Sequence, residues 1–239
     1  MFTPTSFKSI IAAQRHHPSE YLWRRCLSIN SQFCKAVVAA RYLTWEQMVS
    51  AACRYRLGAS KQGGVIFWQI DQEERVRDGK VMYYQTDCHR DKQHNSTWVS
   101  TLLRQRDPFP NSPHETSHCF FGTHLLGMAG GDVCVVEAEK TAFILSEVYP
   151  KYVWLAAGGL GEVQVEKFRP LRGHKVILFP DTDSDGIAFK RWSDAANFVM
   201  QQRFWEDSPP IRVSPVLELH ASPSQKTRKI DLVDFIFES

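Results

Sequence analysis

Acidic residues follow two short apolar runs in the second half of the chain. Glu137 comes directly after one run, and Asp181, Asp183 and Asp185 follow the other. Side chains two residues apart in extended backbone point the same way, so Asp181 and Asp183 are expected to offer their carboxylates to one ion. Such hard oxygen ligands suit Mg²⁺ or Mn²⁺. The spacing predicts a divalent metal site of Glu137, Asp181 and Asp183, with Asp185 as a further ligand.

Other sites that use an Asp-x-Asp-x-Asp-Gly segment fit this chain less well. An EF-hand loop starting at Asp181 needs Glu at its twelfth position, and that position is Trp192. A phosphatase of the haloacid dehalogenase type also opens with Asp-x-Asp after a strand. Its remaining catalytic elements would have to lie after Thr182, and none is evident. A surface acidic loop without a metal stays an open alternative for this segment considered by itself.

The elements around these residues alternate between strand and helix. The apolar runs predict strands at 132–137, 152–156, 175–179 and 211–217, and the segments between them predict helices at 138–148, 163–171 and 186–204. Short buried strands separated by helices are typical of a parallel α/β sheet that is covered on both faces. Ligands bind at the carboxyl ends of such strands. Both acidic groups are therefore expected at the same edge of one sheet.

The first half of the chain has a different character. Residues 1–60 are predicted to be helical, with Trp45–Leu57 as a helix whose apolar residues are expected to pack in the core. Strands are expected at 65–70 and 81–84, in a hairpin that turns at Asp78-Gly79. Residues 107–118 are expected to form a loop. We place the divisions at 1–60 (a helical N-terminal segment), 61–128 (an α+β subdomain) and 129–239 (the parallel sheet).

Composition excludes some classes and leaves the partner open. Of 239 residues, 43% are apolar and 23% charged, which is usual for a globular protein. No segment predicts a membrane span or a signal peptide, so a cytoplasmic location is expected. Six scattered cysteines without a Cys-x-x-Cys pair argue against a zinc ribbon. The net charge of +3 is too small to imply a nucleic-acid partner.

Three runs together resemble a Toprim domain, which bacterial primases, type IA and type II topoisomerases and some nucleases share. The runs are 135–142 (Val-Val-Glu-Ala-Glu-Lys-Thr-Ala), 154–159 (Trp-Leu-Ala-Ala-Gly-Gly) and 176–186 (Val-Ile-Leu-Phe-Pro-Asp-Thr-Asp-Ser-Asp-Gly). Ala138 departs from the glycine that is usual in primases. Residues 229–235 resemble the short acidic helix that often closes such domains.

The resemblance covers about residues 130–238 and implies specific roles. Glu137 matches the lone glutamate of the family, and Asp181 and Asp183 match its Asp-x-Asp pair, so these three are the implied catalytic residues. Asp185 matches a third acidic position found in part of the family. The resemblance implies a Toprim-type parallel sheet flanked by helices and a Mg²⁺ or Mn²⁺ cofactor.

Three stretches of residues 61–128 resemble the nucleic-acid-binding subdomain that precedes Toprim in bacterial primases, and more closely the primase-like Toprim proteins of mobile elements. They are 65–71, 75–80 (Arg-Val-Arg-Asp-Gly-Lys) and 119–126 (Cys-Phe-Phe-Gly-Thr-His-Leu-Leu). This resemblance makes Arg77, Lys80 and Arg90 candidate phosphate contacts. An ordinary solvated charged face is the alternative. The implied partners are a single-stranded DNA or RNA template and nucleoside triphosphates, with a helicase or another replication protein as a further candidate. No membrane is implied.

Three functions remain open on these grounds. The leading one is a primase-like nucleotidyltransferase. The second is a metal-dependent nuclease, because the same site can direct water at a phosphodiester. The third is a non-catalytic nucleic-acid-binding accessory protein of replication. The zinc ribbon and the helicase-binding module of bacterial replicative primases are not recognisable in this sequence, and no Tyr has the context of a topoisomerase nucleophile.

Overall fold

The computed structural model describes residues 27–105, 117–127 and 130–238, which contain two four-stranded sheets and their helices. The strands are β1 (Gly58–Ala59), β2 (Val65–Ile70), β3 (Val76–Met82), β4 (Thr97–Trp98), β5 (Val133–Val136), β6 (Val153–Ala156), β7 (Val176–Phe179) and β8 (Arg212–Val213). The α-helices are α1 (Gln32–Ala39), α2 (Trp45–Arg54), α3 (Val99–Arg104), α4 (Glu139–Val148), α5 (Ile187–Met200), α6 (Val216–His220), α7 (Pro223–Arg228) and α8 (Leu232–Phe237). Short 3₁₀ helices span Thr123–Leu125, Val165–Leu171 and Arg203–Trp205.

The first sheet is antiparallel, with strand order β1-β2-β3-β4. All six residues of β2 are buried, which agrees with its β-branched and aromatic sequence. The turn between β2 and β3 is closed by Asp71. Its Oδ1 accepts hydrogen bonds from the backbone N–H groups of Glu73 and Arg75, at 3.0 and 2.9 Å.

The predicted hairpin exists, but its predicted turn was wrong. Asp78 and Gly79 lie inside β3, opposite Gln69 and Trp68 of β2. Glycine is needed there because a Cβ atom on Gly79 would lie 2.6 Å from ring atoms of Trp68. The Asp78 carboxylate is buried and accepts a hydrogen bond from the Ser100 hydroxyl at 2.6 Å. An Asp-Gly pair that usually indicates a turn is here required by packing and by a buried polar contact.

The second sheet is parallel, with strand order β6-β5-β7-β8. Its central strand β5 is buried along its whole length. Helix α4 follows β5 and packs on it and on β6. Phe121 forms an isolated antiparallel bridge with Ala156 and so extends the sheet beyond β6. The mixed α/β architecture with a parallel sheet flanked by helices was predicted correctly.

The larger of two apolar clusters runs from the first helices through the parallel sheet and along one face of the antiparallel sheet, and a smaller cluster around Trp68 lies on the other face of the antiparallel sheet. Phe33 of α1 has its ring 5.3 Å from the rings of both Phe67 in β2 and Phe143 in α4. Tyr55, directly after α2, stacks on Phe121 at 4.7 Å. The Tyr55 hydroxyl donates a hydrogen bond to the Trp154 carbonyl at 2.7 Å. Phe33 and Tyr55 therefore join the early helices to the parallel sheet and to α4.

Several predicted elements differ in detail. The last strand was predicted at 211–217, but only Arg212–Val213 pair with β7. The rest of that prediction was wrong, because α6 begins at Val216. The predicted helix at 186–204 ends at Met200. Helix α2 is confirmed, but Trp45 at its start is 52% exposed, so its expected place in the core was wrong.

Some predictions fall on residues outside the described ranges. They are the helical assignment for residues 1–26 and most of the predicted loop at 107–118. The three proposed divisions of the chain stay predictions. Among the described residues, no helix has both the length and the apolarity that crossing a membrane requires.

Candidate active site

Glu137 occupies the first residue after β5, at the carboxyl edge of the parallel sheet. The loop that follows β6 lies beside it. The Gly158 N–H donates to the Glu137 carbonyl at 2.9 Å, and the Leu160 N–H donates to its carboxylate. Gly158 has φ +95°, and a Cβ atom there would lie 3.3 Å from a Glu139 carboxylate oxygen. Glycine at position 158 therefore leaves room for the Glu139 carboxylate beside this loop.

Asp181 follows β7, the strand that neighbours β5, and faces a segment from the end of the chain. The Thr182 N–H donates to the Ile230 carbonyl at 3.2 Å, which places the residues before α8 against the loop that follows β7. The Asp231 side chain begins α8 by accepting the N–H of Asp234 at 2.9 Å. Glu137, Asp181 and Asp231 are thus gathered from three distant parts of the sequence.

The pKa values show how closely these acids interact. Burial raises the pKa of Asp181 well above its usual value, and the charges of Asp231 and Glu137 raise it further. Burial likewise raises the pKa of Glu137, with Asp231 and Glu139 adding to the rise and the Leu160 N–H opposing it. The pKa of Asp234 is raised by burial and by Asp231. Neighbouring carboxylates that cannot all ionise freely are characteristic of cation-binding and catalytic sites.

Two lysines enter this carboxylate cluster, which we define as Glu137, Glu139, Asp181, Asp231 and Asp234. Lys80 of β3 donates to both oxygens of Glu139, at 3.1 and 3.2 Å, and to the Gly158 carbonyl at 2.7 Å. Lys140 of α4 pairs with Asp231 at 3.2 Å and with Asp234 at 3.4 Å. Burial alone would lower the pKa of Lys140, but Asp231 and Asp234 outweigh it and raise the pKa.

Asp183 has a different environment from Asp181. Its carboxylate accepts the backbone N–H groups of Asp185, Ile187 and Ala188, at 2.9, 3.0 and 2.8 Å. Burial acts to raise the pKa of Asp183, but these hydrogen bonds lower it. Asp183 therefore accepts hydrogen bonds from backbone N–H groups at the amino end of α5 that have no acceptor within the helix. Asp185 is exposed on the same loop.

The predicted phosphate contacts are divided between the site and the surface. Lys80 lies in the cluster, as described above. Arg77 donates to Asp71 at 2.7 Å and to the Ser117 hydroxyl at 2.8 Å. Arg90 is exposed, with one guanidinium nitrogen 3.3 Å from the Ser96 hydroxyl. Near Arg90, the rings of Tyr83 and His94 stack at 4.7 Å.

Sequence reasoning did not single out four residues of the site: Glu139, Lys140, Asp231 and Asp234. A signal existed for the aspartates, because residues 229–235 were recognised as an acidic helix that closes the domain. Neither Glu139 nor Lys140 carries a local signal. Their partners lie 59 and more than 90 positions away along the chain.

The chemistry of the cluster fits a hard divalent cation in donor type and in charge, because five carboxylates face two ammonium groups. With the side chains as they stand, no three His, Cys, Asp or Glu residues within the described ranges converge as a metal site. The residues that could hold such an ion are Glu137 and Asp181, the two cluster carboxylates at the strand ends. Their side chains form no ion pair with any residue in the described ranges.

The fold is similar to the primase fold. The structure aligns with the primase fragment of the bacteriophage T7 primase-helicase protein with a TM-score of 0.50 and 17% sequence identity, over 79% of this chain and 65% of that one. The chain thus spans a little under two thirds of that fragment. A weaker alignment, with a TM-score of 0.40, 16% identity and coverage of 71% and 78%, is to a bacteriophage T7 lagging-strand DNA polymerase complex that includes primase domains.

The class is therefore an α/β protein of primase-like fold with an acidic cluster at its parallel sheet. Within it, the chain belongs to the family described as "Domain of unknown function (DUF6371)", whose model matches residues 31–182. That match includes β5, Glu137 and Asp181 but ends before α5. No curated protein matches the sequence.

Proposed function

We propose that this chain is a primase-like nucleotidyltransferase that extends or starts a nucleic-acid strand through a Mg²⁺-dependent Toprim-type site. The observation that carries the proposal is the meeting of Glu137 and Asp181 at the carboxyl edge of the parallel sheet, each with its pKa raised by the other acids nearby. The primase-like fold supports the same assignment.

The charge of the cluster supports a site for cations and phosphates together. Five carboxylates and two ammonium groups leave an excess of negative charge that a divalent ion would offset. When bound, Mg²⁺ or Mn²⁺ would supply Lewis-acid stabilisation of charge on the transferring phosphate. We propose Glu137 and Asp181 as its ligands, with Asp183 and Asp185 joining from the loop after β7.

Proton transfer from the attacking 3′-hydroxyl is the second task of the site. A general base works best when its pKa lies near the working pH. Burial and the charges of Asp231 and Glu139 raise the pKa of Glu137 in that direction, and the Leu160 N–H and the charge of Lys80 act against the rise. Proton acceptance is therefore our alternative role for Glu137, in place of ligation of the ion. Lys80 holds the adjacent Glu139 and the Gly158 carbonyl, and so positions the loop that supports Glu137.

The single-stranded template is proposed to follow the surface beside β3. Arg77 and Arg90 supply positive charge there. The stacked pairs Tyr83–His94 and Trp98–His118, with ring centroids 4.7 and 4.1 Å apart, offer flat aromatic faces. Aromatic and basic residues in alternation suit a single strand. A replication protein such as a helicase is the proposed partner, since a protein of similar fold is a primase-helicase.

The test is a nucleotide-incorporation assay with the full chain, Mg²⁺ or Mn²⁺, single-stranded DNA and labelled nucleoside triphosphates. We expect oligonucleotide products from the wild type and a loss of at least 100-fold in Asp181→Asn. The matched control is Asp194→Asn, an exposed carboxylate on α5 outside the proposed site, for which a loss below twofold is expected. Equal activity of the wild type and Asp181→Asn would reject the site.

The same assay separates the alternatives. Cleavage of the DNA without added nucleotides, lost in Asp181→Asn, would identify a metal-dependent nuclease instead. DNA binding without synthesis, cleavage or divalent-ion binding would identify a non-catalytic accessory protein. Replacing Arg90 with Ala should weaken DNA binding and lower its salt dependence by roughly one counterion, whichever reaction the site performs.

A further inference from the structure

Lys140 is an unusual residue for its place in the fold. It lies in the first turn of α4, three residues after Glu137, and is 9% exposed. A positive charge at the amino end of a helix opposes the helix dipole, and burying an ammonium group costs free energy unless it is paired. The residue is held there by Asp231 Oδ2 at 3.2 Å and Asp234 Oδ1 at 3.4 Å.

The two aspartates that bind Lys140 belong to the same carboxylate cluster as Glu137 and Asp181. Asp231 influences both of those acids, and Lys140 itself acts on Asp181. Asp231 also accepts the Thr141 hydroxyl at 2.7 Å. The cluster therefore has three parts: Glu139 is paired with Lys80, Asp231 and Asp234 are paired with Lys140, and Glu137 and Asp181 have no ion pair with any residue that the structure describes.

We propose that Lys140 is a built-in counterion that occupies the Asp231 and Asp234 part of the cluster, so that the site takes one divalent ion and not two. The inference rests on the proposed function for the identity of the ion. A two-ion site needs carboxylates around both ions. Here the lysine ammonium stands where the α8 carboxylates would otherwise meet a second ion.

A merely structural role for Lys140, tying α4 to α8, makes a different prediction. In that case, its removal would weaken folding but would leave the number of bound ions unchanged. Removal of a counterion instead leaves two carboxylates without their partner and opens a second place for a cation. The number of bound ions therefore distinguishes the two roles without any measurement of activity.

The experiment counts Mn²⁺ ions bound to the full chain by electron paramagnetic resonance of the free ion. We expect one ion for the wild type, two for Lys140→Met, and one again for Lys140→Arg, which keeps the charge. Binding of no more ions by Lys140→Met than by the wild type overturns the inference. The absolute number for the wild type tests the proposed function separately, because a wild type that binds no ion argues against the metal site itself.

A second variant covers the case in which Lys140→Met does not fold. Asp234 is half-buried and belongs to the part paired with Lys140, so Asp234→Asn should change the Mn²⁺ affinity of the wild type by less than twofold. Asp181→Asn should abolish Mn²⁺ binding. A loss of tenfold or more in Asp234→Asn would show that α8 supplies a ligand to the ion, and the inference would then be wrong.

Discussion

Lys80 and Glu139 form an ion pair that joins the antiparallel sheet to the helix beginning two residues after Glu137. The Lys80 ammonium lies 3.1 Å from Glu139 Oε1, and the two side chains are 12% and 2% exposed. Each residue comes from a different half of the chain. The pair therefore fixes the antiparallel sheet relative to the candidate site.

Breaking this pair on one side should destabilise the protein strongly. Lys80→Met leaves a buried carboxylate unpaired, and Glu139→Gln leaves a buried ammonium unpaired, so each should lower the free energy of unfolding by about 3 kcal/mol. The double variant should lose less than the sum. Urea unfolding of the four proteins in a double-mutant cycle measures the coupling.

The control for the pair is Lys190→Met. Its partner is Asp194, and the two side chains are 77% and 64% exposed. A change below about 0.5 kcal/mol is expected there. Additive effects of Lys80→Met and Glu139→Gln would contradict the importance of the buried pair.

Asp181→Asn should stabilise the protein in the absence of divalent ions. The substitution removes one of several charges that burial and mutual repulsion disfavour. A gain of about 1 kcal/mol would raise Tm by roughly 2–4 °C in a protein of this size. Thermal unfolding in a chelator measures it, and Asp185→Asn should leave Tm unchanged.

Divalent ions should make the wild type more stable than Asp181→Asn. A ligand that binds the folded state stabilises it in proportion to the logarithm of its concentration above Kd. Added Mn²⁺ should therefore raise Tm of the wild type but not of Asp181→Asn. An equal rise in both proteins would place the ion elsewhere.

Asp183→Ala should weaken the amino end of α5. Three backbone N–H groups would lose their acceptor, at a cost of about 1–2 kcal/mol. Asp183→Asn keeps one acceptor oxygen for the Asp185 and Ile187 N–H groups but loses the acceptor for the Ala188 N–H, so it should retain only part of the stability. Chemical unfolding of both variants checks this, with exposed Ser184→Ala as the control. If Asp183→Asn lost as much stability as Asp183→Ala, the negative charge and not the acceptor oxygen would be what stabilises the start of α5.

Asp71 should make stability depend on acid pH. Burial acts to raise the pKa of Asp71, but hydrogen bonds from Arg75 and Arg77 lower it below its usual value. A lowered folded-state pKa gives stability that is present above the unfolded pKa and is lost as the pH falls through the folded pKa. Asp71→Asn should therefore cost about 2 kcal/mol at pH 7 and progressively less below about pH 4.

Urea unfolding at pH 7, 4 and 3 measures this dependence. Asp194→Asn, at an exposed position, is the control and should show no such convergence with the wild type. A difference for Asp71→Asn that stays constant across this pH range would contradict an ionised Asp71 at the turn.

The parallel sheet was predictable because its strands are continuous apolar runs. Val133–Val136 and Val176–Phe179 are short apolar runs that predict buried strands. Glu137 and Asp181 follow the ends of these strands, so their place at the sheet edge could be predicted too. The hairpin turn was not predictable in the same way. Asp78-Gly79 is a strong local turn signal, but the Trp68 ring and the Ser100 hydroxyl decide its conformation. Tertiary contacts of this kind cannot be predicted from the local sequence.

The partners within the candidate site were also beyond local sequence reasoning. Lys140 and Asp231 are 91 positions apart, and their pairing depends on how α8 returns to the loop after β7. Asp183 was predicted as a ligand on the alternation of extended backbone. Its hydrogen bonds to the start of α5 arise because the chain leaves that conformation immediately after β7.

The Tyr55 hydroxyl bond to the Trp154 carbonyl has a consequence for dissection of this protein. This hydrogen bond and the contacts among the Phe33, Phe121 and Phe143 rings pack the early helices onto the parallel sheet and α4. Cutting the chain near residue 130 would expose this apolar contact surface to solvent on both fragments. We therefore expect neither piece to remain monomeric alone, and mixing them should restore one cooperative unfolding transition.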